Sequence, residues 1–128
     1  MSNSEKYDAI IDECDGGIAP IVKSTVYRRS IELYFLFLKN ETTTGDWKSQ
    51  AVRSCSSIGA NLCEGYGRGA GGNRINFYKI ARGSAYEVAH WANLAENDRD
   101  NLLKKSLEVC ALMDLELQMS ARQAQDIL

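Results

Sequence analysis

Four polar side chains lie on or beside the apolar stripes of two predicted helices: Asn61, Glu64, Ser84 and Glu87. Paired carboxylates in a helical bundle hold di-metal centres or act as catalytic acids and bases. The di-metal motif also needs a histidine three residues after a glutamate, and neither glutamate has one. We therefore expect a structural role, with Asn61 and Glu87 bonding to each other or to backbone groups across a helix contact. An enzyme that uses Glu64 and Glu87 is the alternative.

Residues 65–72 contain five of the ten glycines. The spacing G-x-G-x-x-G occurs there at Gly67, Gly69 and Gly72. A dinucleotide site requires a strand before such a loop, whereas a helix is predicted here, and the G-K-[ST] of a phosphate loop is absent. We interpret the segment as a connector whose first glycine ends a helix. A weak anion site between Arg68 and Arg74 is the alternative.

Charge is unevenly distributed along the chain, although the net charge is only −2. Residues 46–82 contain two acidic and six basic side chains, and both ends of the chain are acidic. Local potential matters more than net charge, so this basic middle can bind an anionic partner, unless it is neutralised internally. The candidate binding residues are Lys48, Arg53, Arg68, Arg74, Lys79 and Arg82. We expect Tyr66 and Tyr78 to be the exposed aromatic side chains nearby, available for stacking on bases.

The histidine and cysteine content argues against metal sites and nucleophilic catalysis. His90 is the only histidine, and the four cysteines contain no C-x-x-C pair. We predict no catalytic residues, no metal and no cofactor. Widely spaced cysteines in helical patterns are typical of reduced core side chains, and no signal pattern or membrane-length apolar run is evident. We therefore expect a cytoplasmic protein without a membrane partner.

The hydrophobic periodicity predicts four helices, at about residues 19–40, 46–65, 73–96 and 98–120. Pro20 suits the first turn of the first helix, and Asn97 is a plausible cap for the fourth. We expect an apolar stripe in the third helix through Phe77, Ile80/Ala81, Ser84, Glu87/Val88, Trp91 and Leu94/Ala95. In the fourth helix we expect one through Leu103, Leu107, Cys110, Met113 and Leu117, with a second, partly apolar side at Leu102, Val109, Leu112 and Met119. Short loops between such helices favour an all-α, up-down-up-down antiparallel four-helix bundle over residues 18–128, preceded by an acidic extension, residues 1–17.

The first predicted helix has more apolar surface than one bundle can cover. Seven of the eight residues 31–38 are apolar, Glu32 being the exception, so almost no face is left for water. We infer self-association through Ile31, Phe35 and Leu38. In the alternative, residues 1–17 fold back over this second face.

Two stretches of the middle helices carry a family resemblance. Residues 49–68 read S-Q-x-x-R-x-x-x-S-I-G-A-N-L-C-E-G-Y-G-R, and residues 77–87 read F-x-x-I-A-R-G-S-A-Y-E. They resemble the bacterial four-helix-bundle family named for open reading frames in 23S rRNA intervening sequences. Its pattern is S-Q-…-R-…-S-I-x-A-N-I-A-E-G-x-G-R, then F-…-A-x-G-S-x-x-E. This chain has Cys63 where the family usually has alanine, and it lacks the Leu-x-Val-Trp opening of the first helix and the Phe-Pro before the second.

The resemblance implies a ring of small helical bundles, commonly a homopentamer, with no catalytic activity. It extends more distantly to the accessory proteins of diversity-generating retroelements, pentameric bundles that bind nucleic acid and a reverse transcriptase through basic surfaces. The matching positions, which we interpret as structural, are Asn61, Glu64, Gly65, Gly83, Ser84 and Glu87. We predict a non-enzymatic oligomeric scaffold that engages RNA, DNA or a reverse transcriptase through its basic middle. The alternative is a protein–protein interaction module with residues 1–17 as a docking tail.

Overall fold

The computed structural model describes residues 2–13, 20–41 and 45–127, and every regular element in these ranges is helical. The all-α prediction is therefore confirmed. The elements are α1 (Asn3–Glu13), a 3₁₀ turn (Pro20–Lys23), α2 (Thr25–Lys39), α3 (Trp47–Gly67), α4 (Gly72–Asn93) and α5 (Arg99–Ile127).

The chain does not form one continuous helix over residues 19–40, as the apolar pattern predicted. The 3₁₀ turn ends before Ser24, which has an extended backbone and caps α2 by accepting a hydrogen bond from the Tyr27 N–H at 3.4 Å. Its hydroxyl also donates to the Ile21 carbonyl at 2.6 Å. A serine that bonds to nearby backbone groups favours a helix start over a helix interior, which explains the break.

The glycine-rich connector is shorter than the predicted loop because α3 continues past Gly65 to Gly67. The turn that follows contains Gly69 at φ +84° and Gly71 at φ +128°. These are left-handed backbone conformations that glycine adopts without a steric penalty. The connector prediction therefore applies to this turn, whereas Gly65 lies inside the helix.

The start of α5 also differs from the prediction, because Asn97 does not cap it. The helix begins at Arg99, and the carbonyl of Asp98, which has φ 58°, accepts the N–H of Leu102 at 3.0 Å. The Asn97 carbonyl instead accepts a hydrogen bond from the Asn40 side chain at 2.9 Å, which ties the end of α2 to the start of α5.

The four long helices pack in the cyclic order α2, α3, α4, α5, with α5 closing on α2. Trp47, at the start of α3, donates from its indole nitrogen to the Trp91 carbonyl near the end of α4 at 2.9 Å. The Trp47 ring also packs on Phe37, with 5.5 Å between ring centroids. The largest fully buried side chains are Phe37, Leu33, Ile58, Leu62, Leu102 and Met113.

The predicted stripes point inward only in part. Ala81, Val88 and Ala95 of the third predicted helix, and Cys110, Met113 and Leu117 of the fourth, are buried as expected. In α4 the buried face consists mainly of alanines, and Ile80 is 51% exposed. Tyr78, expected on the surface, is 2% exposed. In α5, Leu102 and Val109 are buried, whereas Leu107 is 52% exposed. Small side chains let helices approach closely, so the alanine face of α4 packs inward in preference to the face with the larger side chains.

Candidate functional site

An apolar groove runs between α2 and α3 on the outside of the molecule. It contains two adjoining cavities of about 650 and 400 Å³, which share Tyr34 and Ser56. We call it the α2–α3 groove and define it by Tyr27, Ile31, Tyr34, Phe35 and Leu38 of α2 and Val52, Ser56, Gly59 and Ala60 of α3. All three residues predicted to mediate self-association therefore lie together in one concave surface.

The groove exists because α2 is apolar on two sides. Leu33 and Phe37 point into the core, whereas Ile31 and Phe35 are half-buried and Leu38 is 40% exposed. On the α3 side, a Cβ atom at Gly59 would lie 3.2 Å from the Tyr27 ring, so the missing side chain makes room for that tyrosine. Small residues thus form the floor, and aromatic residues form one wall.

Helix α1 packs against the start of α2. Asp8 and Arg28 form an ion pair at 2.6 Å. None of the α1 side chains that the structure describes lines the α2–α3 groove. The expectation that residues 1–17 cover the second face of α2 is not met by this described part, and residues 14–17 lie outside it.

The six basic residues of the middle segment lie at three separate places. Lys48 and Arg53 line the end of the α2–α3 groove, and neither has an acidic partner within 4.0 Å in the described ranges. Lys79 and Arg82 lie on α4 beside α5, where Arg82 is 3.7 Å from Asp114. The remaining two, Arg68 and Arg74, flank the turn between α3 and α4. One chain therefore presents dispersed charge rather than a single basic patch.

The arginines at the α3–α4 turn are already engaged within the chain. Arg74 donates to the carbonyls of Gly65 and Tyr66, at 3.4 and 3.0 Å, and lies 4.6 Å above the Tyr66 ring. These bonds add to the satisfaction of carbonyls at the end of α3, which lack the usual partner within the helix; the Tyr66 carbonyl also accepts the N–H of Gly69 at 3.1 Å. Arg68 pairs with Glu64 at 2.8 Å. Both contacts leave these side chains less free to bind an anion, which counts against the alternative of a weak anion site between them.

A row of polar contacts joins α3 to α4. Ser54 donates to Glu87, and Ser57 shares a 2.8 Å hydrogen bond with Ser84. Asn61 donates to the carbonyl and hydroxyl of Ser57, at 2.8 and 3.1 Å. The predicted polar contact between these helices exists, but the pairing of Asn61 with Glu87 is wrong because the helix register places Ser54 opposite Glu87.

The two carboxylates considered for catalysis lie far apart. Gly65 packs against Phe77, so the neighbouring Glu64 is level with the start of α4. Glu87 lies almost three turns further along α4, about 15 Å away at 1.5 Å per residue. Among the residues that the structure describes, no group of three or more His, Cys, Asp or Glu side chains could hold a metal ion.

A smaller cavity, about 180 Å³, lies among the 3₁₀ turn, the end of α3, the start of α4, and α5. Arg74, Tyr78 and Glu116 are among its lining residues. Burial raises the pKa of Glu116, which nearby Arg74 partly opposes. Burial likewise raises the pKa of Tyr78 to about 12. Both groups therefore favour their neutral forms more than they would in water.

The three described cysteines are free thiols without activation. Burial raises the pKa of Cys55 to about 12 and that of Cys110 to about 11. Burial also raises the pKa of Cys63, and a hydrogen bond with Tyr27 partly opposes this. Since the thiolate is the nucleophile, none of the three is prepared for covalent catalysis. Separately, no helix in the described ranges is long and apolar enough to cross a membrane.

Comparison with known proteins agrees with the resemblance seen in the sequence. The family model described as 23S rRNA-intervening sequence protein matches residues 23–112. A similar solved structure is that of a protein of unknown function from the S23 ribosomal protein family of Bacteroides thetaiotaomicron VPI-5482. It is 25% identical, covers 73% of this chain and 98% of its own, and superposes with a TM-score of 0.62. No curated protein sequence matches the chain.

Proposed function

This chain belongs to the 23S rRNA-intervening sequence protein family, and from that premise we propose that it is a non-enzymatic scaffold assembled from identical copies. Five copies is the number that the resemblance implies. The observation that carries the proposal is the α2–α3 groove, an apolar surface that the single chain leaves open to water.

We infer that each copy is an up-down-up-down antiparallel four-helix bundle, residues 18–128, with residues 1–17 as an extension. The register of α3 against α4 supports this arrangement. Ser54 bonds to Glu87, whereas Gly65 packs on Tyr78, so residue numbers fall along α4 as they rise along α3. The cyclic contact order of the four long helices and their short connections fit the same architecture.

Hydrophobic burial provides the driving force for assembly. Removing apolar surface from water stabilises a complex by roughly 25 cal/mol per Å². Exposed apolar side chains that lie together on a surface commonly mark interaction sites. Ile31, Phe35 and Leu38 lie together in this way with Val52. A second copy seated there removes these side chains from water without any change in the fold.

Phe35→Glu tests the proposal directly. We expect the unmodified protein to sediment at micromolar concentration as a species heavier than the 14.2 kDa chain, and the variant to sediment as a single chain. A carboxylate in the groove must lose its hydration on assembly, which costs several kcal/mol. Circular dichroism should show unchanged helix content because Phe35 is only half-buried.

Leu94→Glu is the control for added charge, since Leu94 is 53% exposed just after α4 and outside the groove. It should assemble like the unmodified chain. A Phe35→Glu variant that assembles normally, or an unmodified protein that sediments as one chain, contradicts the proposal.

Three features support the absence of enzymatic activity. The carboxylates of Glu64 and Glu87 are separated along the bundle, and the described thiols are not activated. His90, the only histidine, is exposed beside Trp91 on the outside of α4. The free thiols of Cys55, Cys63 and Cys110 also support the cytoplasmic location that we propose.

Nucleic-acid binding, direct or through an enzyme such as a reverse transcriptase, is the second candidate function. Lys48, Arg53 and Lys79 favour it because none has an ionic partner in the described part of the chain. Assembly would repeat the charges that the contact between copies leaves uncovered, Lys79 above all, around a ring, so side chains too dispersed to hold RNA or DNA on one copy would act together.

Salt dependence tests this second function. We expect a fluorescent single-stranded RNA to bind at low ionic strength and its affinity to fall steeply as salt is added, because bound phosphates release counterions. Lys79→Glu should weaken binding by an order of magnitude or more in the oligomer, about 1.4 kcal/mol. Lys6→Glu, at an exposed position on α1 outside the proposed contact surfaces, is the matched control. Absence of binding at low salt would exclude this function and leave the protein–protein interaction module.

A further inference from the structure

The α2–α3 groove is only one half of a ring contact. A ring of more than two copies with cyclic symmetry joins two different surfaces of each copy, head to tail. Resting on the proposed self-assembly, we propose that the second surface is the outer face of α5, and that it inserts into the groove of the next copy. We call this face the α5 stripe and define it by Leu107, Ala111, Leu115 and Met119.

The α5 stripe is a regular apolar row on the surface. Its members are four residues apart, so each lies about one turn beyond the last and the row winds gradually around the outer side of the helix. Met119, at the end of the row, also borders the 180 Å³ cavity. Leu107, Leu115 and Met119 are 52%, 53% and 47% exposed, and Ala111 is also exposed. Leu102, Val109 and Met113, by contrast, are at most 1% exposed. Like α2, α5 therefore has more apolar surface than its own bundle buries.

No other exposed apolar set in the described ranges forms such a row. Leu38 belongs to the groove, and Ile10 and Leu94 lie singly on α1 and just after α4. Ile80 and Tyr86 are both exposed on α4 but are six residues apart, with Gly83 between them. The α5 stripe is the strongest candidate for the convex partner of the groove.

The residue sizes on the two surfaces suit each other. The floor of the groove contains Ser56, Gly59 and Ala60, which leave space for a helix to approach, and Tyr34 and Phe35 form its wall. A helix that presents leucine, alanine and leucine at successive turns fits such a groove in the way amphipathic helices bind many grooves. Two grooves facing each other would instead leave both cavities partly empty.

One charged contact fits the same pairing. Glu108 is exposed beside Leu107 and has no ionic partner in the described part of the chain. Lys48 and Arg53 stand at the end of the groove without acidic partners. Lys104 and Arg122 lie near the two ends of the stripe, so Glu108 supplies the negative charge along its length.

The placement of the two surfaces favours closure. The groove lies between α2 and α3, and the side directly opposite is the contact between α4 and α5. The α5 stripe faces outward from α5 alone, so it is not diametrically opposite the groove. Each copy is therefore rotated relative to the one before it. When that rotation is the same at every contact, the copies can close into a ring.

Mixing two assembly-defective variants tests the pairing. Ala60→Glu blocks the groove and Leu115→Glu blocks the stripe, and both substitutions are at exposed positions. Each variant alone should sediment as a single chain. An equimolar mixture should form a one-to-one dimer and nothing larger, because the intact groove of one variant receives the intact stripe of the other. Ile80→Glu, at 51% exposure on α4, is the matched control and should assemble normally.

The outcomes separate this inference from the proposed function. If Leu115→Glu assembles like the unmodified chain while Ala60→Glu does not, the α5 pairing is wrong and self-assembly stands. A mixture that stays monomeric while the unmodified chain assembles also overturns the pairing. An unmodified protein that is a single chain overturns both. Circular dichroism verifies folding of each variant, and Leu107→Lys repeats the stripe experiment at an independent position.

Discussion

Phe37→Ala lowers the free energy of unfolding by about 3–5 kcal/mol, the range for removing a fully buried phenylalanine. The Phe37 side chain is 0% exposed and packs on Trp47 at the end of the core. Phe35→Ala should lower stability mainly by weakening assembly, because the Phe35 side chain lies in the α2–α3 groove. The unfolding midpoint in urea should fall at every protein concentration for Phe37→Ala, and for Phe35→Ala chiefly at concentrations where the unmodified chain assembles.

The two variants thus separate the folding role of α2 from its assembly role. Each variant removes one phenyl ring, and the two phenylalanines are only two residues apart on the same helix. Equal losses of stability that do not depend on protein concentration would contradict the assignment of Phe35 to an interface. If the Phe37→Ala chain is as stable as the unmodified one, Phe37 is not a core residue, contrary to its complete burial.

Gly65→Ala should lower the free energy of unfolding by about 1–3 kcal/mol, the usual effect of overpacking. A Cβ atom at Gly65 would lie 2.9 Å from Phe77 Cβ and 2.9 Å from the Tyr78 ring, closer than packed atoms allow. The backbones of α3 and α4 would have to separate, and the polar contacts between them would weaken. Denaturation in urea measures the change.

Gly83→Ala is the matched substitution with the opposite expected sign. A Cβ atom there meets nothing within 4 Å, and alanine favours a helix interior over glycine by about 1 kcal/mol. The free energy of unfolding should therefore rise by about that amount. A loss of stability equal to that of Gly65→Ala would contradict the open space described around Gly83.

The two motif glycines thus differ although the sequence pattern treats them alike. Gly65 packs closely against α4 within the chain, which fits our interpretation of it as a structural position. Gly83 has no neighbour that a side chain would displace. The packing of one copy gives no reason for glycine at this position.

The sequence predicted which segments are helical better than which side chains point inward. Apolar residues occur on two sides of α2 and α5, so periodicity alone does not decide which side packs in the bundle. Phe37 is fully buried, although its near neighbour Phe35 is only half-buried, and Leu107, expected in the core, is exposed. The choice depends on the neighbouring helices, whose positions a single helix pattern does not contain.

Prediction of the site was limited in the same way. The density of apolar residues in 31–38 is enough to predict a second apolar face on this helix. Ile31, Phe35 and Leu38 do lie in one groove. The basic residues, by contrast, are close only in sequence, and closeness in sequence does not place them on one surface. Arg74 is close to Arg68 in sequence, but its guanidinium group donates hydrogen bonds to carbonyls at the end of α3. Hydrogen-bond partners such as Ser54 and Glu87 follow from helix register, which requires the assembled fold.

The most direct measurement is the native mass of the unmodified protein by multi-angle light scattering at micromolar concentration. Self-assembly through an apolar groove predicts a mass that is a whole multiple of the 14.2 kDa chain, with five copies as the proposed number. A mass equal to one chain across the accessible concentration range would contradict the account.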